Sequence, residues 1–400
     1  MRYRLSEVGR IVTGKTPSTK NSIAFSDKAD KYLFVTPRDM NISAKIIGVT
    51  ERYLTDEVTD QFKNLILDIN SICVSCIGTV GKVFMVNKPA ITNQQINSIT
   101  DTKKNICVPD FLYYYLSIHQ KDIENLAGGT TMPIVNKTAF ESLIIDLPDL
   151  ETQQKIVRIL SALDSKIELN NQQNQTLELI LDKLYDENFI NKCDNDWTEY
   201  SLEELLDYKG GYSYTSKELV ETSNTGMMTI KNFERNGGFK IDGFKPLLPQ
   251  KNRVPLIEPL DILIACTDVT QNADIIGNAV LVLNKNGYEN ITFSMDLVKI
   301  IPKNINKFIL YMILKSKEFK GFALGYKSGT TVLHLNKKCL KEFKIQLPKE
   351  KEMEKFAEIV EATYKKIATN IKNSQELEKI RNILLPKLMN GGINLTDINL

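Results

Sequence analysis

The chain has 400 residues, 42% apolar and 25% charged, a composition that excludes a largely disordered protein and leaves room for two to four domains. A net charge of +2 neither demands nor excludes a nucleic-acid partner, because the placement of the basic residues matters more than their sum. The six cysteines (Cys73, Cys76, Cys107, Cys193, Cys266 and Cys339) are too scattered for a disulfide framework and are read as reduced thiols.

The opening stretch "RLSEVGRIVTGKTPS" lacks the apolar core of a signal peptide. It is followed by a strand-rich region in which "SICVSCIGTVGKVFMV" reads as two apolar strands split by a polar, glycine-bearing loop. Cys73 and Cys76 form a C-x-x-C, but there is no second pair and no histidine at ligand spacing, so a closed zinc site cannot be assembled. "DFLYYYL" then reads as a short helix, and "GGTTMPIVNKTAFESLIIDLP" ends in an alternating strand, Leu143/Ile145/Leu147, that stops at Leu-Pro. A long helix follows. Its apolar and polar positions Ile156, Leu160, Leu163, Ile167, Asn170, Asn174, Leu177, Leu181 and Leu184 recur at steps of four and three, the period of a coiled-coil seam.

The same grammar then returns. "SLEELLDYKGGYSYTS" answers the opening, with Gly211 for Gly14, and "DILIACTDVTQNADIIGNAVLVL" answers the split strand pair. "KFILYMIL" is the matching short helix, and its apolar run is far too short to span a bilayer. "SGTTVLHLNKKCLKEFKIQLP" repeats the segment before the first long helix, with Gly329-Thr330-Thr331, Asn336-Lys337 and Leu347-Pro348 at one constant offset of 200. In the second helix Phe356, Val360, Thr363, Ile367, Asn370, Ser374, Leu377, Arg381 and Leu384 occupy the seam. Both seams are polar at mid-length, a feature that fixes register. With a whole domain between the helices, the reading predicts an antiparallel pair and a pseudo-twofold α+β molecule of two homologous mixed α/β domains. The boundaries are 1–148 for the first domain, 149–192 for the central helix, 193–348 for the second domain and 349–400 for the last helix.

Catalytic signatures are sparse. An adenine methyltransferase needs an Asn/Asp-Pro-Pro-aromatic motif and a glycine-rich cofactor loop, and a nucleotide hydrolase needs Gly-x4-Gly-Lys-Ser/Thr; none of these is in the sequence. His119 and His334 are isolated. The loops "TGKTPSTK", "TPRD", "GTVGK" and "TNQQ" carry instead the groups that read base edges and phosphates. A fused nuclease and a protein-interaction scaffold that never touches DNA are the alternatives the residues leave open.

The order of these pieces, with "LPDLETQQKIVRILSALDSKIELNNQ" as the most specific part, resembles the specificity subunit of Type I restriction-modification systems over essentially the whole chain. In the second copy that phrase is degraded, with Lys355 and Ile359 keeping the frame, Glu354 in place of Gln and Tyr364 in place of Asp. The resemblance implies a cytoplasmic, non-catalytic subunit whose two target recognition domains each read one half of an asymmetric bipartite site in double-stranded DNA. The helices would set the gap and carry two modification (methyltransferase) subunits, joined by a restriction/translocase subunit. S-adenosylmethionine, ATP and magnesium would sit on those partners, with no cofactor or metal on this chain and no membrane contact.

Residue by residue, the resemblance points to Gly14, Lys15, Thr16, Ser18, Arg38, Thr79, Lys82, Asn93, Gln94 and Gln95 as DNA-binding positions in the first domain. The counterparts in the second are Tyr212, Tyr214, Ser216, Lys231, Asn232, Thr267, Asp268, Asn272 and Ser294. Thr130, Thr131, Thr330 and Thr331 join them as turn residues that can reach DNA. Ile159, Leu179 and Ile180 lie outside the seam, have no expected partner in a two-helix pair, and are assigned to docking of the modification subunit.

Overall fold

The computed structural model describes the whole chain except residues 19–23, 27–30, 42–44, 57–59, 129–131, 193–195, 236, 251–252, 271 and 396–400. It divides into two compact units, Met1–Glu168 with Glu376–Leu400, and Leu169–Gln375. Each unit holds one strand-rich domain and a stretch of both long helices.

In the first unit a five-stranded sheet runs in the order Arg10–Thr13, Ile96–Thr100, Ile72–Ser75, Val83–Val86, Ile46–Ile47. A four-stranded sheet runs Phe25–Ser26, Tyr53–Leu54, Tyr32–Val35, Ala90–Thr92. The central strand Ile72–Ser75 is apolar at nearly every position because both of its faces are covered. Ile72 and Val74 join the core beneath the helix Pro109–Ile118, while Cys73 faces Leu33, Val86 and Ala90 on the other side. The C-x-x-C is thus structural: Cys73 and Cys76 belong to different cores, and burial pushes their thiols up to about 12 and about 11. All five described cysteines are free and buried, and Cys193 lies outside the described residues.

The second unit repeats the plan. One sheet runs Leu206–Gly210, Leu297–Pro302, Ile262–Ala265, Ala279–Leu281, and another runs Lys245–Pro246, Thr225–Met228, Asn290–Phe293, Leu256–Ile257. The predicted short helices are Pro109–Ile118 and Lys307–Lys315, and the strands before each Leu-Pro are Ile144–Asp146 and Lys344–Leu347. The repeated Asn-Lys pairs lead into short helices: Asn136 caps Lys137–Glu141, its Oδ1 accepting from the Ala139 amide at 2.9 Å, and Asn336 Oδ1 accepts from the Lys338 amide at 3.1 Å in the turn before Cys339–Glu342.

The long helices are Leu150–Tyr185 and Glu350–Met389. They are antiparallel within each unit. In the second, Asn170 donates to Ser374 Oγ at 3.1 Å and Asn370 donates to Asn174 Oδ1 at 2.8 Å, so numbers rise on one helix as they fall on the other. In the first, Arg381 pairs with Asp164 at 2.7 Å. The mid-seam polar residues therefore face one another, as the seam pattern predicts.

Two residues of the Leu-Pro-helix phrase have concrete jobs. Gln153 is fully buried, donates to the carbonyls of Ile106 and Pro148, and accepts from the Val108 amide, so it ties the helix start to its domain. Its counterpart at the same offset is Met353, which packs in the apolar core instead. Asp164 accepts from the Tyr114 hydroxyl and from Arg381, while Tyr364 at the matching place sets its ring edge against Tyr311. In the second joint two buried tyrosine hydroxyls meet at 3.4 Å where the first has an ion pair.

Ile159 corrects one expectation. It is half-buried against the first domain's core and has an intramolecular partner, whereas Leu179 and Ile180 are 63% and 48% exposed. The seam pattern considers only the opposite helix, and here the domain also covers the flank.

Candidate nucleic-acid interface

The proposed reading loops converge because a buried glycine lets two backbone segments touch. A Cβ on Gly14 would run into the Thr92 and Asn93 carbonyls, and one on Gly211 into those of Phe293 and Ser294. The amide after each glycine then donates across the contact, Lys15 to Thr92 at 2.9 Å and Tyr212 to Phe293 at 2.7 Å. Next, the amide closing the central strand reaches the same loop: Cys76 to the Gln95 carbonyl at 2.8 Å, Cys266 to the Asp296 carbonyl at 2.7 Å. "ITNQQINSI" and "ITFSMDLVKI" therefore do occupy matched places, shifted by one residue from their Ile-Thr alignment. Gln94 corresponds to Met295 and Gln95 to Asp296.

A second shared device flanks this loop. In "TPRD" the Asp39 carboxylate accepts from the Thr36 amide at 2.8 Å, and in "TIKN" Asn232 Oδ1 accepts from the Thr229 amide at 2.9 Å. Each side chain folds a short turn that leaves the preceding cation, Arg38 or Lys231, exposed. Asn93 donates its amide to the Val35 carbonyl at 3.0 Å and Ser294 donates to Met228 at 2.9 Å, which places both turns against the loop. In the first domain Pro37, Arg38, Met40, Ser75, Thr79 and Lys82 line a cavity of about 160 Å³. The third component follows the GTT motifs. Val135 donates to Cys76 at 2.9 Å and Leu335 to Cys266 at 2.9 Å, so the segment after each GTT packs on the loop that follows the central strand. Thr330 and Thr331 are exposed beside Gly329, whose φ of +101° makes the turn; Thr130 and Thr131 lie outside the described residues.

Of the sequence candidates, Lys15, Ser18, Arg38, Thr79, Gln94, Ser216, Lys231, Asn272, Thr330 and Thr331 are exposed, and Thr16, Lys82, Gln95 and Tyr214 are half-buried. Thr16 donates to Gln94 Oε1 at 2.7 Å, and Asn93 donates to Gln95 Oε1 at 3.0 Å. One lone pair on each glutamine oxygen is thereby engaged, which orients both carboxamides.

The remaining described candidates are corrected from DNA contacts to supports, because they are buried inside the domain. Gly14 acts by having no side chain. Asn93 closes the loop by accepting from the Gln95 amide at 3.1 Å. Asn232 is fully buried and also donates to the Lys240 carbonyl at 2.9 Å. Tyr212 donates to Glu218, whose carboxylate this bond and the Thr215 and Gln250 amides hold down to about 2. Asp268 is fully buried, accepts from the amides of Thr270, Ile275 and Ile276, and has its carboxyl held low by them. Thr267 and Ser294 are buried as well. Conversely, Met295 is 59% exposed, and the backbone bonds that shift the second loop by one residue place it where Gln94 stands in the first.

His119 is a packed residue, stacked on Tyr115 with ring centroids 4.0 Å apart. Among the described residues there is no group of three or more His, Cys, Asp and Glu placed to hold a metal ion, and no helix long and apolar enough to cross a membrane.

Comparison with known proteins places this twofold arrangement. The family model of the type I restriction modification DNA specificity domain matches twice, over residues 1–179 and 194–379. The MjaIX specificity subunit of Methanocaldococcus jannaschii is 23% identical over 99% of this chain and 94% of its own length. The HindI specificity subunit of Haemophilus influenzae is 37% identical over 45% of this chain and 39% of its own. Among solved structures, a type I restriction-modification S subunit from M. genitalium superposes with a TM-score of 0.55, at 20% identity, covering 97% of this chain and 95% of that one, a likeness of fold. With both copies of the family domain matched, the chain belongs to the type I restriction modification DNA specificity family.

Proposed function

We propose that this chain is the DNA-recognition subunit of a Type I restriction-modification complex, each domain reading one half of an asymmetric bipartite site. The observation that carries this reading is the same edge built twice: a glycine-backed loop, a turn presenting Arg38 or Lys231, and the segment after the GTT packed alongside. Loops of this kind place amides and small hydroxyls near phosphate and long polar side chains near base edges.

The chain's own part is binding, and it catalyses nothing alone. Two modification subunits docked on the helices supply S-adenosylmethionine and adenine methylation, and a restriction/translocase subunit supplies ATP- and magnesium-dependent chemistry. The exposed apolar residues Leu179 and Ile180 support helix docking.

The test is duplex binding by the full chain assembled with its modification subunits, measured against salt concentration. Affinity should fall linearly on logarithmic axes. Arg38→Ala and Lys231→Ala should each lower the slope by about one if the cation meets a phosphate. An assembly that binds no duplex in a salt-dependent way would be a protein scaffold, contrary to the proposal.

A further inference from the structure

The loop after the central strand differs most between the two copies. Its ends are equivalent, since Ser75 donates to the Lys82 carbonyl at 2.9 Å and Ala265 to the Asn278 carbonyl at 3.1 Å. Gly81 and Gly277 also match, with φ of +85° and +79° and amides returning to Ser75 and Ala265. Between these fixed points the second copy carries six more residues, 266–278 against 76–82. A polar insertion of that size at a surface is ordinarily flexible, and ordering it on binding costs conformational entropy.

Here the described part of the insertion is held from inside. Asp268 accepts from the amides of Thr270 at 2.7 Å, Ile275 at 2.6 Å and Ile276 at 2.9 Å, and the Asp274 amide donates to Thr270 Oγ1 at 2.9 Å. From below, Lys320 on the helix Lys317–Leu324 sends its ammonium to the carbonyls of Ala273 and Ile276 and to Asn278 Oδ1 at 2.6 Å. Gly277 presses on the same helix, where an added Cβ would sit 3.2 Å from the Ala323 methyl. In the short loop of the first domain the matching residue on the helix below is Gln120, whose Nε2 donates to the Val80 carbonyl at 3.1 Å.

The outer side of the loop is different. Val269 is 63% exposed and Asn272 is exposed, and the loop joins the reading edge through the Cys266–Asp296 backbone bond and the pairing of Thr267 with His334. Burying an ammonium under a loop carries a desolvation cost, and burial indeed lowers Lys320 to about 8.

We propose that Lys320 and Asp268 are positioning residues for recognition of the second half-site: they hold the inserted loop rigid so that Asn272 and Val269 meet the DNA in one conformation. This rests on the DNA-recognition reading above. No contact of Lys320 or Asp268 with DNA is involved.

The experiment uses the full chain with its modification subunits, as the unsubstituted protein, Lys320→Met and the near-isosteric Asp268→Asn. Two readouts are taken: amide hydrogen exchange at Ile275 and Ile276, and methylation of duplex libraries randomised in one half-site at a time. Lys320→Met should speed exchange at those two amides at least tenfold without changing the amides of the strand Ile262–Ala265. It should also reduce discrimination in the second half-site about tenfold and leave the first unchanged. Asp268→Asn should do the same, and Lys320→Arg, which keeps the donors, should restore most of the discrimination. Unchanged exchange in both variants overturns the clamp, and faster exchange with discrimination intact, or lost equally in both half-sites, overturns its role in recognition. If the unsubstituted assembly shows no sequence preference, the DNA-recognition reading itself falls and takes this proposal with it.

Discussion

At the scale of single residues, burial separates side chains free to face a partner from those that support the fold. Gln94 and Gln95 stand in the loop that Gly14 backs, with oxygens tethered by Thr16 and Asn93 and carboxamides oriented by those tethers. Replacing both by Ala should cost about 1–3 kcal/mol of discrimination in the first half-site if either makes a bidentate adenine contact. The check is the methylated motif of the double variant: relaxed bases in the first half support the assignment, and unchanged fidelity confines the pair to loop structure. The same residues show what sequence alone could reveal. Side-chain type marked the loops correctly as polar and glycine-backed. It could not distinguish Gln94 from Asp268, because the Ile275 and Ile276 amides that engage Asp268 reach it only once the loop is folded.

Among elements, the long helices were the most legible, since steps of four and three name a face without reference to anything else. Asn170, Asn174, Asn370 and Ser374 meet as that pattern predicts. What the pattern could not show was the flank, where Ile159 packs on the first domain and Asp164 joins Tyr114 to Arg381. The Asp164 and Arg381 side chains are 14% and 25% exposed, so Asp164→Ala leaves a largely buried guanidinium without its counter-charge. Destabilisation of about 3 kcal/mol is expected, read as a lower urea midpoint; Tyr364→Phe, which keeps the ring and loses only the hydroxyl bonded to Tyr311, should cost about 1 kcal/mol. On the exposed side, Leu179→Glu combined with Ile180→Glu should prevent assembly with the modification subunit while leaving the circular dichroism spectrum unchanged. Normal complex formation by that variant would remove the helix surface from the partner assignment.

For the molecule as a whole, the internal repeat explains why one chain addresses two sequences. The two edges share their backbone devices yet present different groups: Gln94 against Met295, Arg38 against Lys231, and a six-residue insertion in the second domain only. Donors and acceptors offered to base edges therefore differ, and the two half-sites should differ with them. The most direct test is the motif methylated in cells that carry this chain with its modification subunit. The account predicts adenine methylation in two unlike half-sites separated by a fixed, unread gap, lost when this chain is deleted. A palindromic motif, or methylation that persists unchanged without the chain, would contradict it.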